Sequence, residues 1–278
     1  MTSPEEALSR PTLPIDSVMR LALRADSLLF SLAQTTDQMV QAYKLVYRNY
    51  LRCEYIDAHP SQMRYNVFNA LPDTATFVAC LDHTVVTTAT IVFDSPLGLP
   101  LEAIYQDEVD ALRRAGARLS EVTMLADRRR AGMRTIPSIL HLFKLILHHT
   151  LATGKATDIV ITVNPSHEAF YSRYLPFDDL GPLRYYPSVK NAPAVAKRLS
   201  LTEVVLGVRS GRFGGFFLEN PPPRDVLAAK KRFTEDELRE LFVATRDILP
   251  QLPPFALDYI RSLYPGYDFN RIMAPVHK

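Results

Sequence analysis

Three side chains stand where they could move protons. Glu121 lies in the run Leu119-Ser120-Glu121-Val122-Thr123-Met124-Leu125-Ala126, which reads as a strand. A carboxylate partly buried at the centre of a sheet has its pKa raised, which suits it to take a proton as a general base. The same residue fits an ordinary ion pair or a strand-end carboxylate. Tyr171 follows the last buried run, Ile161-Thr162-Val163, and His167 precedes it by one helical turn. A phenol there could serve as a general acid, or be a core aromatic with its hydroxyl at the surface. His167 fits a catalyst or a satisfied helix-start residue. Arg64 could grip a substrate carboxylate with both arms of its guanidinium, or form a surface ion pair.

A basic run comes next. Arg128, Arg129, Arg130 and Arg134 surround Gly132 just before a helix start. Guanidinium groups beside a helix N-terminus suit a phosphate or an acidic protein. They also fit a solvated loop or a nucleic-acid patch. Lys and Arg number 32 against 30 Asp and Glu, a net charge of +2, and no nucleic-acid motif occurs, which argues against nucleic acid.

Other chemistries find little support. His148 and His149 are adjacent on a helix, so they point about 100° apart and cannot share a metal well. The two cysteines, Cys53 and Cys80, have no Cys-x-x-Cys partner. No nucleophile elbow, Walker loop or dinucleotide fingerprint occurs, so no metal or bound cofactor is expected. The N-terminal stretch has no unbroken apolar core of an export signal, and no window approaches the ~18 apolar residues of a membrane span. A soluble, cytoplasmic protein is expected.

These side chains need elements to position them. Residues 1–24, rich in Pro, Ser and charge, read as a flexible lead-in. A short strand over Leu28 to Ala33 is followed by a helix capped at Thr35 to Asp37. Thr74 to Leu81 and Thr84 to Phe93 read as an antiparallel hairpin. A helix over Glu102 to Ala115 precedes the strand of Glu121. Pro137 to Thr153 is a helix, with Gly154 as its stop. A buried strand over Asp158 to Val163 leads to a helix capped by Asn164, and strands at Leu183 to Val189 and Ala194 to Leu201 close the domain. Beyond residue 203 the composition changes. Pro221 to Pro223 break the chain, and Thr234-Glu235-Asp236-Glu237 is a capping-box start. The chain thus divides into 1–24, an α/β domain over 25–202 and a helical C-terminal module over 203–278. The module's own caps and apolar faces make it separable from the chemistry in this reading.

The order of elements, with strand, loop, helix and strand at its centre, is that of the GCN5-related N-acetyltransferase (GNAT) fold. The residues sharpen the likeness. Gly98-Leu99-Pro100-Leu101-Glu102, Asp107 to Arg113 and Leu119 to Ala126 form one run, and Ile161 to His167 and Phe170 to Phe177 follow. From about Ser27 to Leu201 the chain resembles the long-chain N-acyl amino acid synthases of FeeM type, GNAT-fold relatives of the acyl-homoserine-lactone synthases. The resemblance implies an α/β fold with a GNAT-like mixed, mostly antiparallel twisted sheet flanked by helices. It implies an N-acyltransferase that moves a long-chain fatty acyl group from acyl carrier protein to the α-amine of an amino acid.

On that resemblance Glu121 would accept the ammonium proton and Tyr171 would protonate the leaving thiolate, with His167 as a lesser candidate. The backbone of Met124, Leu125 and Ala126 would meet the thioester. Arg128, Arg129, Arg130, Gly132 and Arg134 would hold the donor's phosphopantetheine, and Arg64 the acceptor's carboxylate. The acyl chain would lie in an apolar cleft flanked by the helix of Leu142, Phe143 and Ile146, residues that also fit plain core. Two departures matter. Arg134 stands where the GNAT phosphate loop carries a small residue, which favours the single phosphate of a carrier-bound donor over acyl-CoA. Pro176 replaces the glycine of the usual Phe-Tyr-x-x-x-Gly-Phe pattern. The expected partners are acyl carrier protein, the amino acid and the fatty acyl group. Contact with a membrane would come only through the lipid product. An acyl-homoserine-lactone synthase is disfavoured by the lack of tryptophan. A non-catalytic acyl-binding module and a small-molecule acetyltransferase are the other rivals.

Overall fold

In a computed structural model the described residues are 28–128, 135–207, 214–223, 227 and 231–274. The expected lead-in and, in the basic loop, Arg129, Arg130, Gly132 and Arg134 lie outside the described residues.

The order is β1 (Leu29–Leu32), α1 (Thr36–Arg52), β2 (Ala75–Leu81), β3 (Thr84–Phe93), α2 (Glu102–Arg114), β4 (Leu119–Asp127), α3 (Thr135–Thr153), β5 (Asp158–Val163), α4 (Glu168–Tyr174), β6 (Asp178–Tyr186) and β7 (Ala192–Ser200). The strands form one seven-stranded sheet in the order β1-β2-β3-β4-β5-β7-β6. Every neighbouring pair is antiparallel except β4 and β5, which run parallel. This is the mixed, mostly antiparallel sheet with flanking helices that the sequence predicts.

Local chemistry sets these boundaries. Thr35 caps α1 through the N–H of Gln38, whose side chain returns to the Thr35 N–H. Asn164 caps a 3-10 turn over Pro165–His167, and α4 begins only at Glu168. The last strands differ from expectation. β6 runs over Asp178–Tyr186, not Leu183 to Val189. Pro187 cannot donate to the ladder, so the chain leaves the sheet there in a 3-10 turn ending at Lys190, whose φ is 54°.

Three apolar clusters hold the layers. One face of the sheet packs Phe77, Ile91, Val122 and Ile161 against Leu140, Leu142 and Ile146 of α3. α3 is apolar on nearly all sides because it is covered twice. Its outer side meets Phe216 and Phe217 of α6 (Gly214–Leu218), which follows α5 (Leu201–Val205). On the opposite face α2 and its leading loop cover Val92, Leu119 and Val160 with Leu101, Tyr105 and Val109.

The third cluster joins α1 to the C-terminal helices α7 (Glu235–Arg239), α8 (Pro254–Ser262) and α9 (Phe269–Met273). Thr234 and Glu237 form the expected capping box. After α7 the helix widens into a π-helical stretch over Glu240–Thr245. Met63 and Tyr65 pack in one core with Leu238, Phe242, Ile260 and Ile272. The Tyr65 hydroxyl donates to the Leu241 carbonyl, and the Tyr264 hydroxyl to that of Ala70 at 2.7 Å. The expected boundary at residue 202 falls inside α5. Among the described residues no helix is long and apolar enough to cross a membrane.

Candidate active site

β4 and β5 pair only as far as Val122–Ile161. Beyond that point the two parallel strands part. Thr88 and Thr90 of β3 face Ala126 and Thr123 of β4, so Met124 and Leu125 share the single partner Ala89. This is a β-bulge, and Met124 takes it up with a φ of 56°. A non-glycine residue pays about 1–3 kcal/mol for such a conformation, so the surrounding structure must impose it. The Asn49 side chain donates to the Asp127 carbonyl at 3.2 Å, and Thr87 Oγ1 to Asp127 Oδ2 at 2.6 Å, which anchors the strand beyond the bulge.

Two adjoining cavities open at the splay. Both are lined by Tyr50, Tyr55, Thr123, Met124, Thr162 and Asn164. The first, about 180 Å³, continues past Leu125 and Ala126 to Ile139 and Phe143 of α3 and to His167 and Tyr171. The second, about 140 Å³, continues to Arg64, Glu121, Tyr186 and Ser188. The candidate site residues therefore divide between them. Glu121 and Arg64 line one cavity, and Tyr171 and His167 the other.

Strand alternation places Glu121. Val122 points to the α3 side, so Glu121 points to the α2 side, where its register neighbours are Val92 and Val160. The side chain is 2% exposed, and its Oε2 accepts the Leu101 N–H at 2.7 Å. Burial among apolar neighbours pushes its pKa up to about 8. The Leu101 hydrogen bond opposes this and nearby Glu102 adds to it. Glu102 is itself tied to Arg113 and to the Leu99 N–H.

This shift has a consequence for stability. Between pH 4.5 and about 8 the folded chain keeps a proton on Glu121 that the unfolded chain has lost. Stability therefore falls as pH rises through that window. Glu121→Gln cannot ionise, so its stability relative to the native chain should grow by about 1.4 kcal/mol per pH unit there. Urea unfolding of both chains across the window checks this. Parallel curves would mean that the carboxyl ionises freely in the fold.

The Tyr171 ring packs on Phe143, Phe170 and Phe177, and burial raises the pKa of its phenol, which stays protonated at neutral pH. Arg64 lies over the Tyr50 ring at 6.0 Å, and its Nη2 reaches the Ser188 carbonyl at 3.4 Å. It forms no ion pair among the described residues. Of the expected cleft residues, Phe143 lines the first cavity, while Leu142 and Ile146 are core. Arg128 is exposed at the end of β4, with its N–H on the Val86 carbonyl at 2.6 Å.

Sequence reasoning missed most of the wall. Tyr50, Tyr55 and Tyr186 go unnamed there, and Asn164 counts only as a cap. Asn164 does cap Ser166, yet its Nδ2 also donates to the Tyr55 hydroxyl at 3.1 Å. The Tyr55 ring meets Tyr50 edge-on at 5.9 Å. Tyr186 hydrogen-bonds the Pro100 carbonyl at 2.6 Å, closing the second cavity from the far edge of the sheet. No short-range pattern signals such long-range contacts.

A bulged strand splayed from its parallel neighbour, with cavities on both sides of the gap, is the arrangement of an N-acyltransferase of GNAT-like fold. A family model, N-acyl amino acid synthase FeeM, matches residues 41–200, more than half of the chain. The chain belongs to the FeeM family of N-acyl amino acid synthases. It is similar to the solved structure of FeeM, an N-acyl amino acid synthase from uncultured soil microbes. That likeness has 28% identity and a TM-score of 0.57, over 63% of this chain and 91% of that one. It shares its fold with BjaI, a CoA-dependent acyl-homoserine lactone synthase solved with S-adenosylmethionine and isopentyl-CoA. There the identity is 15% and the TM-score 0.51, over 72% of this chain and 97% of that one. No curated protein matches the chain by sequence.

Proposed function

We propose that this N-acyltransferase moves a long-chain fatty acyl group from the phosphopantetheine thioester of an acyl carrier protein to the α-amine of an amino acid. The observation that carries this reading is the buried Glu121 carboxyl beside the strand splay, with its pKa near 8. An amino acid arrives as an ammonium ion, and only the free amine attacks. A base with a pKa near the working pH combines a useful ionised fraction with a useful affinity for the proton.

The acceptor would occupy the cavity of Glu121 and Arg64, and the donor that of Leu125, Ala126 and Tyr171. Glu121 takes the ammonium proton. The amine nitrogen then bonds to the thioester carbon, and the carbon–sulfur bond breaks. Backbone N–H groups of Met124 to Ala126 at the bulge would face the developing oxyanion. The Tyr171 phenol would donate to the departing sulfur and regain a proton from the nitrogen as the amide forms, while Glu121 releases the ammonium proton to water; His167 lies beside the same cavity. Exposed Arg128, with Arg129, Arg130 and Arg134, would meet the carrier's phosphate and acidic surface, and Arg134 favours the carrier over acyl-CoA.

Mass spectrometry of lipid extracts from a bacterial host expressing the chain tests the reaction. N-acyl amino acids are expected, and purified enzyme should turn over acyl carrier protein faster than acyl-CoA. Acyl-homoserine lactones, or no acyl amide, would overturn the reading.

A further inference from the structure

The family match ends at residue 200, yet a residue far beyond it bonds the segment that supplies Arg64 and Tyr65 to the cavity of Glu121. Arg246 follows the π-helical stretch, and its N–H bonds the Leu241 carbonyl at 3.2 Å. Its Nη1 donates to the Met63 carbonyl at 3.0 Å, next to Arg64. The Tyr65 hydroxyl, one residue further on, is bonded to the Leu241 carbonyl. Residues 63–65 and 241–246 are thus tied at two points, and the ties hold Arg246 beside Arg64.

Both arginines are partly buried, and neither forms an ion pair among the described residues. The acidic residues nearest in the chain bond elsewhere: Glu240 accepts the Thr245 hydroxyl and Asp247 the Gln251 side-chain amide, each at 3.1 Å. Each arginine side chain donates to a backbone carbonyl, that of Met63 for Arg246 and that of Ser188 for Arg64, which cancels no charge. Burial, then the charge of Arg64, lowers the pKa of Arg246, but an arginine stays charged throughout the working range. Two adjacent like charges with spare donors are stabilised when an anion reaches them.

We infer that Arg246 joins Arg64 in holding the carboxylate of the acceptor, so that the C-terminal segment completes the acceptor site. This rests on the amino acid acceptor proposed above. It commits the site to carboxylate-bearing acceptors and against neutral amines.

The test uses the full chain, the twenty proteinogenic amino acids and their carboxamides, which keep the amine and lose the charge. Acyl carrier protein serves as donor. Wild type should prefer acid to amide. Arg246→Met should raise KM for the acid about ten- to a hundredfold, the worth of a hydrogen bond between charged groups. Its kcat, donor KM and amide KM should change little, and Arg246→Lys should recover most of the loss. Arg246→Gln replaces the Met variant if that chain does not fold. An unchanged acid KM, or equal losses with acid and amide, overturns the inference and leaves the acyltransferase reading intact. No transfer by wild type to any amino acid would instead sink that reading, and this inference with it.

Discussion

Glu121→Gln is expected to lower kcat by about 10²–10⁴-fold, the usual effect of removing a general base. Glutamine keeps the shape of the side chain and a carbonyl oxygen to accept the Leu101 N–H, so the loop before α2 should stay in place. What is lost is the proton acceptor. The carboxyl, with its pKa near 8, is mostly protonated at pH 7 in the free protein, so native kcat/KM should rise as pH rises toward that value. The variant should lack this limb. Its defect should shrink at high pH, where more of the amino acid arrives as free amine. Carrier binding should be nearly unchanged, because the cavity proposed for the donor is lined without Glu121. Initial rates against pH for both chains decide the matter. A Gln variant with native kcat at neutral pH would make Glu121 structural and would move the base to water or His167.

Ending the chain near Thr202 is expected to abolish cooperative folding. The cut falls within α5 and removes Phe216 and Phe217 from the outer side of α3. It also uncovers Tyr65, whose ring lies edge-on to Phe242 at 5.3 Å, together with Met63 and Tyr43 in the same core. Each large apolar side chain returned to water costs about 1.5–3 kcal/mol. Several together match the whole stability of a typical domain, about 5–15 kcal/mol. The hydroxyl of Tyr65 also loses its carbonyl partner. Urea unfolding of the truncated chain should show no cooperative transition, and acyl transfer should be absent. A soluble truncated chain with native turnover would place the whole of the chemistry within residues 1–202. The caps and apolar faces of the C-terminal helices predict independence, but those faces lie on α1 and its following loop.

The sequence by itself determined the local parts. Capping residues set the start of α1 and of the 3-10 turn before α4, and the run Leu119 to Ala126 marked β4 with Glu121 inside it, because these signals act between residues a few positions apart. It also carried the family likeness, since that resides in motifs of the same short range. Tertiary structure decided the rest. Glu121 gains its high pKa only because Val92, Val160 and Leu101 come from three other segments to exclude water. Glu121 and Tyr171, named together as candidate proton carriers, face different cavities because they approach the sheet from opposite sides. Tyr55 and Tyr186 join the cavity walls across long stretches of chain, through hydrogen bonds to Asn164 and Pro100. Periodicity reports which side of its own element a residue occupies. What packs against that side, and so its charge state and its substrate, follows from desolvation and pairing between segments that meet only on folding.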